Sequence, residues 1–428
     1  MSNILGLVEG FYGTPWNQVD RFTVLRHTAK WGYTHYFYGP KDDPFHRKNW
    51  RKPYPENKSE DIIALHRYCT ELNLEFVYTI APGLDFKYSN NDDFELMCSK
   101  ISHFHQRGIK HFGLIFDDIP PMLVHPDDKD VFSTLGEAQN KTLLRFRNFC
   151  RNLEPDSQLF TCPTEYSGRG DSPYIIDFCR DLPQDLKVFW TGRDICASDL
   201  SGPDTVYFTE KTGHKPLYWD NYPVNDSVMH REMHLGPYNR RDISILKESE
   251  GLVLNPMEYP LASLIPLKTS ADFFLLQDQY DPYISWQAAI EEVLPSDLSE
   301  AFKEFASYCF KSCLHPYFSN RLFLKEVQKT HNTPDWDFFQ FSEQFLIRQR
   351  KAYKILISNQ DTPLIQEIMP WLKKMKLFIG YYSHYVALKK GGIFKIYHSL
   401  MKSWYRFRFQ ADPHDLFQLE LLDQISEH

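Results

Sequence analysis

The 428-residue chain has no excess of positive charge: 48 Lys and Arg stand against 56 Asp and Glu, a formal net charge of -8. Nucleic acid draws a protein through Lys- and Arg-rich surface, so no nucleic-acid partner is expected. No run of 18 apolar residues occurs, which leaves no membrane-spanning helix to place. The opening MSNILGLVEG has no basic segment ahead of a long apolar core, so no secretory signal is expected and the chain reads as cytoplasmic. The eight cysteines, at 69, 98, 150, 162, 179, 196, 309 and 313, contain no CxxC pair and no regular framework. They read as reduced thiols on small buried side chains. HREMH (230 to 234) is not HExxH: on a helix His230 and His234 would share a face, but Glu232 has the wrong offset and no third ligand is evident. No metal and no cofactor are expected.

Aromatic residues are abundant, at 16%. Such rings suit thick helical packing, and equally the stacking of sugar faces. Eight short apolar runs occupy the first 260 residues: ILGLVEG from 4, THYFYG from 34, LEFVYTI from 74, HFGLIFD from 111, QLFTCP from 158, KVFWTG from 187, KPLYWD from 215 and GLVLNP from 251. Their starts lie 28 to 47 residues apart, room for the helix that must carry a chain between parallel strands. SEDIIALHRYCTEL (59 to 72) reads as one such helix, with Ser59 as cap; DDFELMCSKISHFHQRG (92 to 108) reads as another, ended by Gly108. Eight units predict a (β/α)8 barrel over residues 1–270. From 271 to 428 long helical stretches predict an all-α bundle: 296 to 314, 335 to 359, 361 to 390 and a final pair through 426. Phe338, Phe341, Phe345 and Ile347 read as its core stripe, and the Lys373 to Lys376 cluster as a solvated face.

Polar and aromatic residues follow nearly every run: Tyr12; Lys41, Asp42 and Asp43; Asp85; Asp117 and Asp118; Glu165 and Tyr166; Trp190 and Thr191; Trp219, Asp220 and Asn221; Asn255. In a barrel these strand ends share one face, which makes distant residues neighbours around a common pocket. The centre is LIFDDIPP (114 to 121), an apolar strand ending in two acids and stopped by two prolines. If Asp117 ends the strand it points to the barrel mouth, and the change of direction forced by the prolines brings Asp118 to the same cavity. Two close carboxylates do not both ionise cheaply, so one stays protonated near neutral pH while the other is an anion, an acid/base division of labour.

Six segments, in this order and spacing, resemble glycoside hydrolase family 84: LVEGFYGTPW (7 to 16), YGPKDDPFHR (38 to 47), LIFDDI (114 to 119), CPTEY (162 to 166), WDNYPVND (219 to 226), and LGPY (235 to 238) with LNP (254 to 256). That family includes the O-GlcNAcases and bacterial β-N-acetylglucosaminidases, and the resemblance covers about residues 4 to 260. It implies a retaining exo-β-N-acetylglucosaminidase in which the substrate's own acetamido oxygen attacks C1 to form an oxazoline. Asp117 would then orient and polarise the acetamido group, and Asp118 would act as general acid and then base. The resemblance further implies that the Gly10 carbonyl and Lys41 meet sugar hydroxyls, Asn221 the acetamide, Asp226 the 4- and 6-hydroxyls, and Asn255 the ring. Tyr166 would hydrogen-bond near the acetamide, and Trp219 would wall its methyl. The expected substrate is GlcNAc on Ser or Thr of proteins. Glycan or hyaluronan-type substrates, or weak GlcNAc binding, are the alternatives, and the helical half is a candidate homodimer surface.

Overall fold

The computed structural model describes residues 3–310, 312–315 and 338–390. Each apolar run forms a strand: β1 Ile4–Glu9, β2 His35–Tyr38, β3 Glu75–Ile80, β4 His111–Ile115, β5 Leu159–Cys162, β6 Leu186–Trp190, β7 Pro216–Asp220 and β8 Gly251–Leu254. They pair in chain order, and β8 returns to β1 in parallel, with Val253 against Gly6, to close the barrel. The crossovers are helical: α1 Gln18–Lys30, α2 Glu56–Glu71, α3 Asn91–His105, α4 Pro126–Val131, α5 Leu135–Leu153, α6 Pro173–Cys179, α7 Gly202–Thr212 and α8 Ile245–Glu248. Further helices follow: α9 Pro260–Leu276, α10 Pro282–Val293, α11 Ser296–Ala306, α12 Phe338–Ser358, α13 Pro363–Glu367 and α14 Met369–Lys390. The (β/α)8 barrel and the C-terminal helices are thus as expected, and the last pair expected, through 426, lies outside the described residues. No helix among the described residues is long and apolar enough to cross a membrane.

The described chain divides into two compact units. One holds the barrel: the residues up to Asp226, Tyr238–Pro260 and Ser270–Tyr280. The other takes Ser227–Pro237, Leu261–Thr269 and the residues from Asp281 onward.

The period of two along a strand decides what fills the barrel and what faces its helices. Val8, Phe37, Val77, Ile115, Phe160, Phe189, Leu217, Trp219 and Val253 form one buried cluster inside it. Its rings meet edge to face, Phe37 against Phe160 at 4.8 Å and against Phe189 at 5.4 Å, an arrangement that suits the ring quadrupoles. The opposite phase points outward into the helix layer. There Glu9 is buried and takes two hydrogen bonds, each 2.8 Å, from the Arg21 guanidinium of α1. At the end of β7 Asp220 is paired in the same way with Arg241, at 2.8 and 2.7 Å, and accepts from the Tyr238 hydroxyl at 2.6 Å. Both partners are buried, so removing one strands a charge. Arg241→Leu is expected to lower the free energy of unfolding by about 3 to 5 kcal/mol, read from urea denaturation. A loss below about 1 kcal/mol would show that the pair is dispensable.

Several local expectations are corrected. Ser59 is not a cap: α2 begins earlier, after Pro55, and Ser59 lies buried within it, its hydroxyl 2.7 Å from Nε2 of His103. The α3 expectation fares better, since Asn90 caps the helix through the Asp92 N–H and Gly108 takes φ +99° just beyond its end. The expected helix from 296 gives way after Ala306 to a short 3-10 turn, and the stretch from 361 is two helices, α13 and α14. In α12 Phe341 and Phe345 are buried, with Phe345 edge-on to Tyr382 at 5.5 Å. Ile347 is exposed, because two residues past Phe345 is about 200° around a helix; the Phe338 side chain lies outside the described residues. Residues 230 to 234 are not helical, so His230 and His234 share no helix face. Of the cysteines, Cys196 is half-buried and Cys313 is exposed, against the expectation of burial.

Candidate active site

The inward phase of the strands continues past their ends and supplies the site. Two residues beyond Val8 comes Gly10; beyond Ile115, Asp117; beyond Trp219, Asn221; beyond Val253, Asn255. Asp117 and Asn255 remain buried, so side chains of the barrel interior pass directly into polar groups at its mouth. Asp220 and Trp190, in the opposite phase, point away from it, Asp220 to Arg241 and Trp190 to a stacked Phe208 at 4.6 Å. Asp85 is also drawn off, by Trp50 Nε1 and Arg51, and Glu165 accepts from the Ser172 hydroxyl.

Asp118 reaches the mouth by a different device. Its φ of +51° lies in the left-handed region, which Asp tolerates better than most residues, so the turn of the chain sits on Asp118 itself, ahead of the prolines to which the sequence reading assigns it. Arg47 holds this turn. Buried, it donates from Nη2 to the Asp118 carbonyl at 2.6 Å and from Nη1 to the Asp117 carbonyl at 3.3 Å.

The two carboxylates have unlike surroundings. One oxygen of Asp117, Oδ2, is ion-paired with buried Lys41. The other, Oδ1, is buried with no hydrogen-bond partner among the described residues. Asp118 is exposed and accepts two phenol hydrogen bonds, from Tyr12 at 2.8 Å and from Tyr166 at 2.6 Å. Although the residue as a whole is exposed, its carboxyl is partly desolvated, which raises its pKa, but Lys41, the hydroxyls of Tyr166 and Tyr12, and Arg47 together outweigh this and hold the carboxyl below the usual range. The raised pKa expected from the adjacent pair is therefore reversed at Asp118 in the free site. Burial and then Asp118 hold the phenols of Tyr12 and Tyr166 well above their ordinary range, so both remain donors.

Around the acids runs a chain of hydrogen bonds. Gly10 N–H donates to Oδ1 of Asn255 at 3.3 Å, Asn255 Nδ2 to Oδ1 of Asn221 at 2.9 Å, Trp219 Nε1 to that same oxygen at 3.1 Å, and Asn221 Nδ2 to the Ile195 carbonyl at 2.7 Å. The Lys41 ammonium lies 5.6 Å from the Trp219 ring centre, a cation over a π face. Gly10 is required by this packing, since a Cβ there would lie 2.4 Å from Cζ2 of Trp219. Asp226 joins the group through the Tyr12 N–H, at 2.8 Å, and burial raises its carboxyl above the usual range.

A family model described as β-N-acetylglucosaminidase matches residues 5–307. The chain belongs to that family. It is the family of O-GlcNAcases, glycoside hydrolase family 84, that the motifs resemble. The protein O-GlcNAcases of Rattus norvegicus and Mus musculus are each 31% identical over 305 residues, covering 67% of this chain and 33% of theirs. The chain thus spans about a third of the length of those relatives. A solved structure of an O-GlcNAc hydrolase mutant from Thermobaculum terrenum superposes with a TM-score of 0.84 at 31% identity, over 90% of this chain and 84% of that one.

In this β-N-acetylglucosaminidase family member the nine positions singled out from the sequence occupy one region: Gly10, Lys41, Asp117, Asp118, Tyr166, Trp219, Asn221, Asp226 and Asn255 are linked by the contacts above. Two further residues belong with them. Tyr12 bridges Asp118 and Asp226, and Arg47 fixes the backbone of the acid pair. Both stand inside the quoted motifs, Tyr12 in EGFYG and Arg47 in DPFHR, but their roles depend on a backbone turn that spacing does not encode. The hydrogen bond from Tyr166 helps hold Asp118 ionised, so Tyr166→Phe is expected to raise the Asp118 titration midpoint, followed by carbon NMR of its carboxyl. A midpoint that stays put or falls would remove Tyr166 from this electrostatic role.

Proposed function

We propose that this protein is a retaining exo-β-N-acetylglucosaminidase acting by substrate assistance, with O-linked GlcNAc on Ser or Thr of proteins as its substrate. The observation that carries the reading is the buried Asp117 oxygen left without a partner beside Asp118. Lys41 fixes one side of the Asp117 carboxylate, and the other side is free to accept the acetamido N–H. In accepting it, the anion steers the acetamido oxygen toward C1 and offsets the positive charge that grows as the oxazoline ring closes.

Asp118 serves the leaving oxygen. It has to carry a proton for the first step, whereas the surrounding cations and hydroxyls favour its anion in the free site. A bound glycoside strips water from Asp118, and burial is the largest single influence on this carboxyl, in the direction of protonation. Once the aglycone has left, the resulting carboxylate takes a proton from the incoming water, and attack on the same face that lost the aglycone restores the β-anomer. Gly10, Lys41, Asn221, Asp226 and Asn255 then position hydroxyls and acetamide, with Tyr166 beside the acetamide and Trp219 as the wall for its methyl.

The protein substrate is supported by two relatives named protein O-GlcNAcase and by a structural neighbour named O-GlcNAc hydrolase. The deciding assay sets an O-GlcNAc peptide beside a GlcNAc-terminated oligosaccharide at equal concentration. Release of GlcNAc from the peptide at the higher kcat/KM is expected; preference for the oligosaccharide would move the assignment to glycans, and release from neither would remove the hydrolase.

A further inference from the structure

HREMH takes no part in the barrel chemistry, yet its acid and second histidine do not face solvent. Glu232 and His234 are both buried, with Nε2 of His234 3.3 Å from Oε2 of Glu232. The chain after α11 returns to the same place, where the Cys313 N–H donates to Oε2 of Glu232 at 2.8 Å. One ligand atom from each of Glu232, His234 and Cys313 lies within 4.8 Å of the other two. All three residues belong to the helical unit.

We propose that Glu232, His234 and Cys313 form a zinc site. A carboxylate, an imidazole and a thiolate are the donor types zinc takes, and with a neutral imidazole their two negative charges balance Zn²⁺. Tetrahedral bonds of about 2.0 to 2.3 Å set ligand atoms about 3.5 Å apart, so the imidazole and carboxylate, at 3.3 Å, already have the required separation. Cys313, the exposed member, provides the entry path for the ion. The Cys313 N–H bond to Glu232 orients the carboxylate, the kind of outer contact that holds a metal ligand in place. The absence of a third ligand in the sequence, which argues against a metal, is made good by a residue 79 positions beyond His234. Bound zinc would tie the HREMH segment to the chain beyond α11 and stabilise the unit by linkage.

The test uses the full chain, reduced and stripped of metal, titrated with zinc chloride and separately with cobalt(II) chloride. One Zn²⁺ per chain is expected, with a rise in Tm that chelator reverses, and cobalt should give the absorption band of a thiolate-bound ion. Cys313 is exposed, so Cys313→Ala keeps the fold intact; it should abolish the cobalt band and weaken zinc more than about tenfold. No zinc binding by the native chain, or zinc and cobalt binding that Cys313→Ala leaves unchanged, would overturn the site.

Discussion

Replacing Asp118 with Asn is expected to lower kcat/KM on an O-GlcNAc peptide by about 10² to 10⁴, while an aryl glycoside whose leaving group needs no proton loses far less. On the proposed reading, a serine or threonine oxygen departs as a poor leaving group and depends on a proton from Asp118. Asn has nearly the same shape and still accepts a hydrogen bond from Tyr12 or Tyr166, but it has no proton to give in this sense. The contrast between substrates, measured over a series of aglycones of graded acidity, therefore isolates proton transfer from binding. Equal losses across the series would take the acid role away from Asp118.

Asp117→Asn is expected to cost about 10² to 10³ in rate on every substrate, good leaving group or poor, because in the proposed mechanism the lost anion stabilises ring closure and plays no part in aglycone departure. Fluorinating the substrate's N-acetyl group tests the same step from the other side. Each fluorine draws electron density from the acyl oxygen, so the native protein should slow progressively along the series, and early proton NMR should show the β-anomer released first. Inversion at C1, or rates indifferent to fluorination when chemistry limits turnover, would overturn the assignment. The mutant carries a second cost. Lys41 stays buried and loses its carboxylate, so a lowered Tm should accompany the slower rate. Rates of Asp117→Asn are therefore to be compared well below its own melting transition.

The strands were legible because apolar runs of the right length recur with room for a helix between them, and the site because strand phase carries past the strand ends. Gly10, Asp117, Asn221 and Asn255, singled out as strand-end residues and by the family resemblance, stand in the inward phase of their strands. Asp118, Tyr12 and Arg47 do not, since one depends on a left-handed backbone and the other two on what that backbone brings within reach. Counting in twos also shows why Asp220 looked like a site residue in a bare reading of strand ends. It stands next to Trp219 in sequence but on the opposite face of β7, turned away from the barrel interior toward Arg241. Ile347 failed for the matching reason in a helix, where an apolar residue two places from the core stripe falls on the opposite side. Cys313 was invisible as a neighbour of His234 because nothing local connects them.

The left-handed turn at residue 118 also governs which amino acids could ever have been tried there. A Cβ in that conformation costs roughly 1 to 2 kcal/mol for an ordinary residue, less for Asp and Asn and nothing for Gly. Glu, the one other side chain that could bring a carboxylic acid, meets the full backbone strain and adds a methylene that displaces the acid from both tyrosines. A drifting sequence that leaves Asp at this position therefore passes most readily to Asn or Gly, residues that fold without complaint and donate no proton. In such a lineage the groups proposed to bind sugar could outlast the proposed catalysis, and a folded descendant without the acid lies a single substitution away.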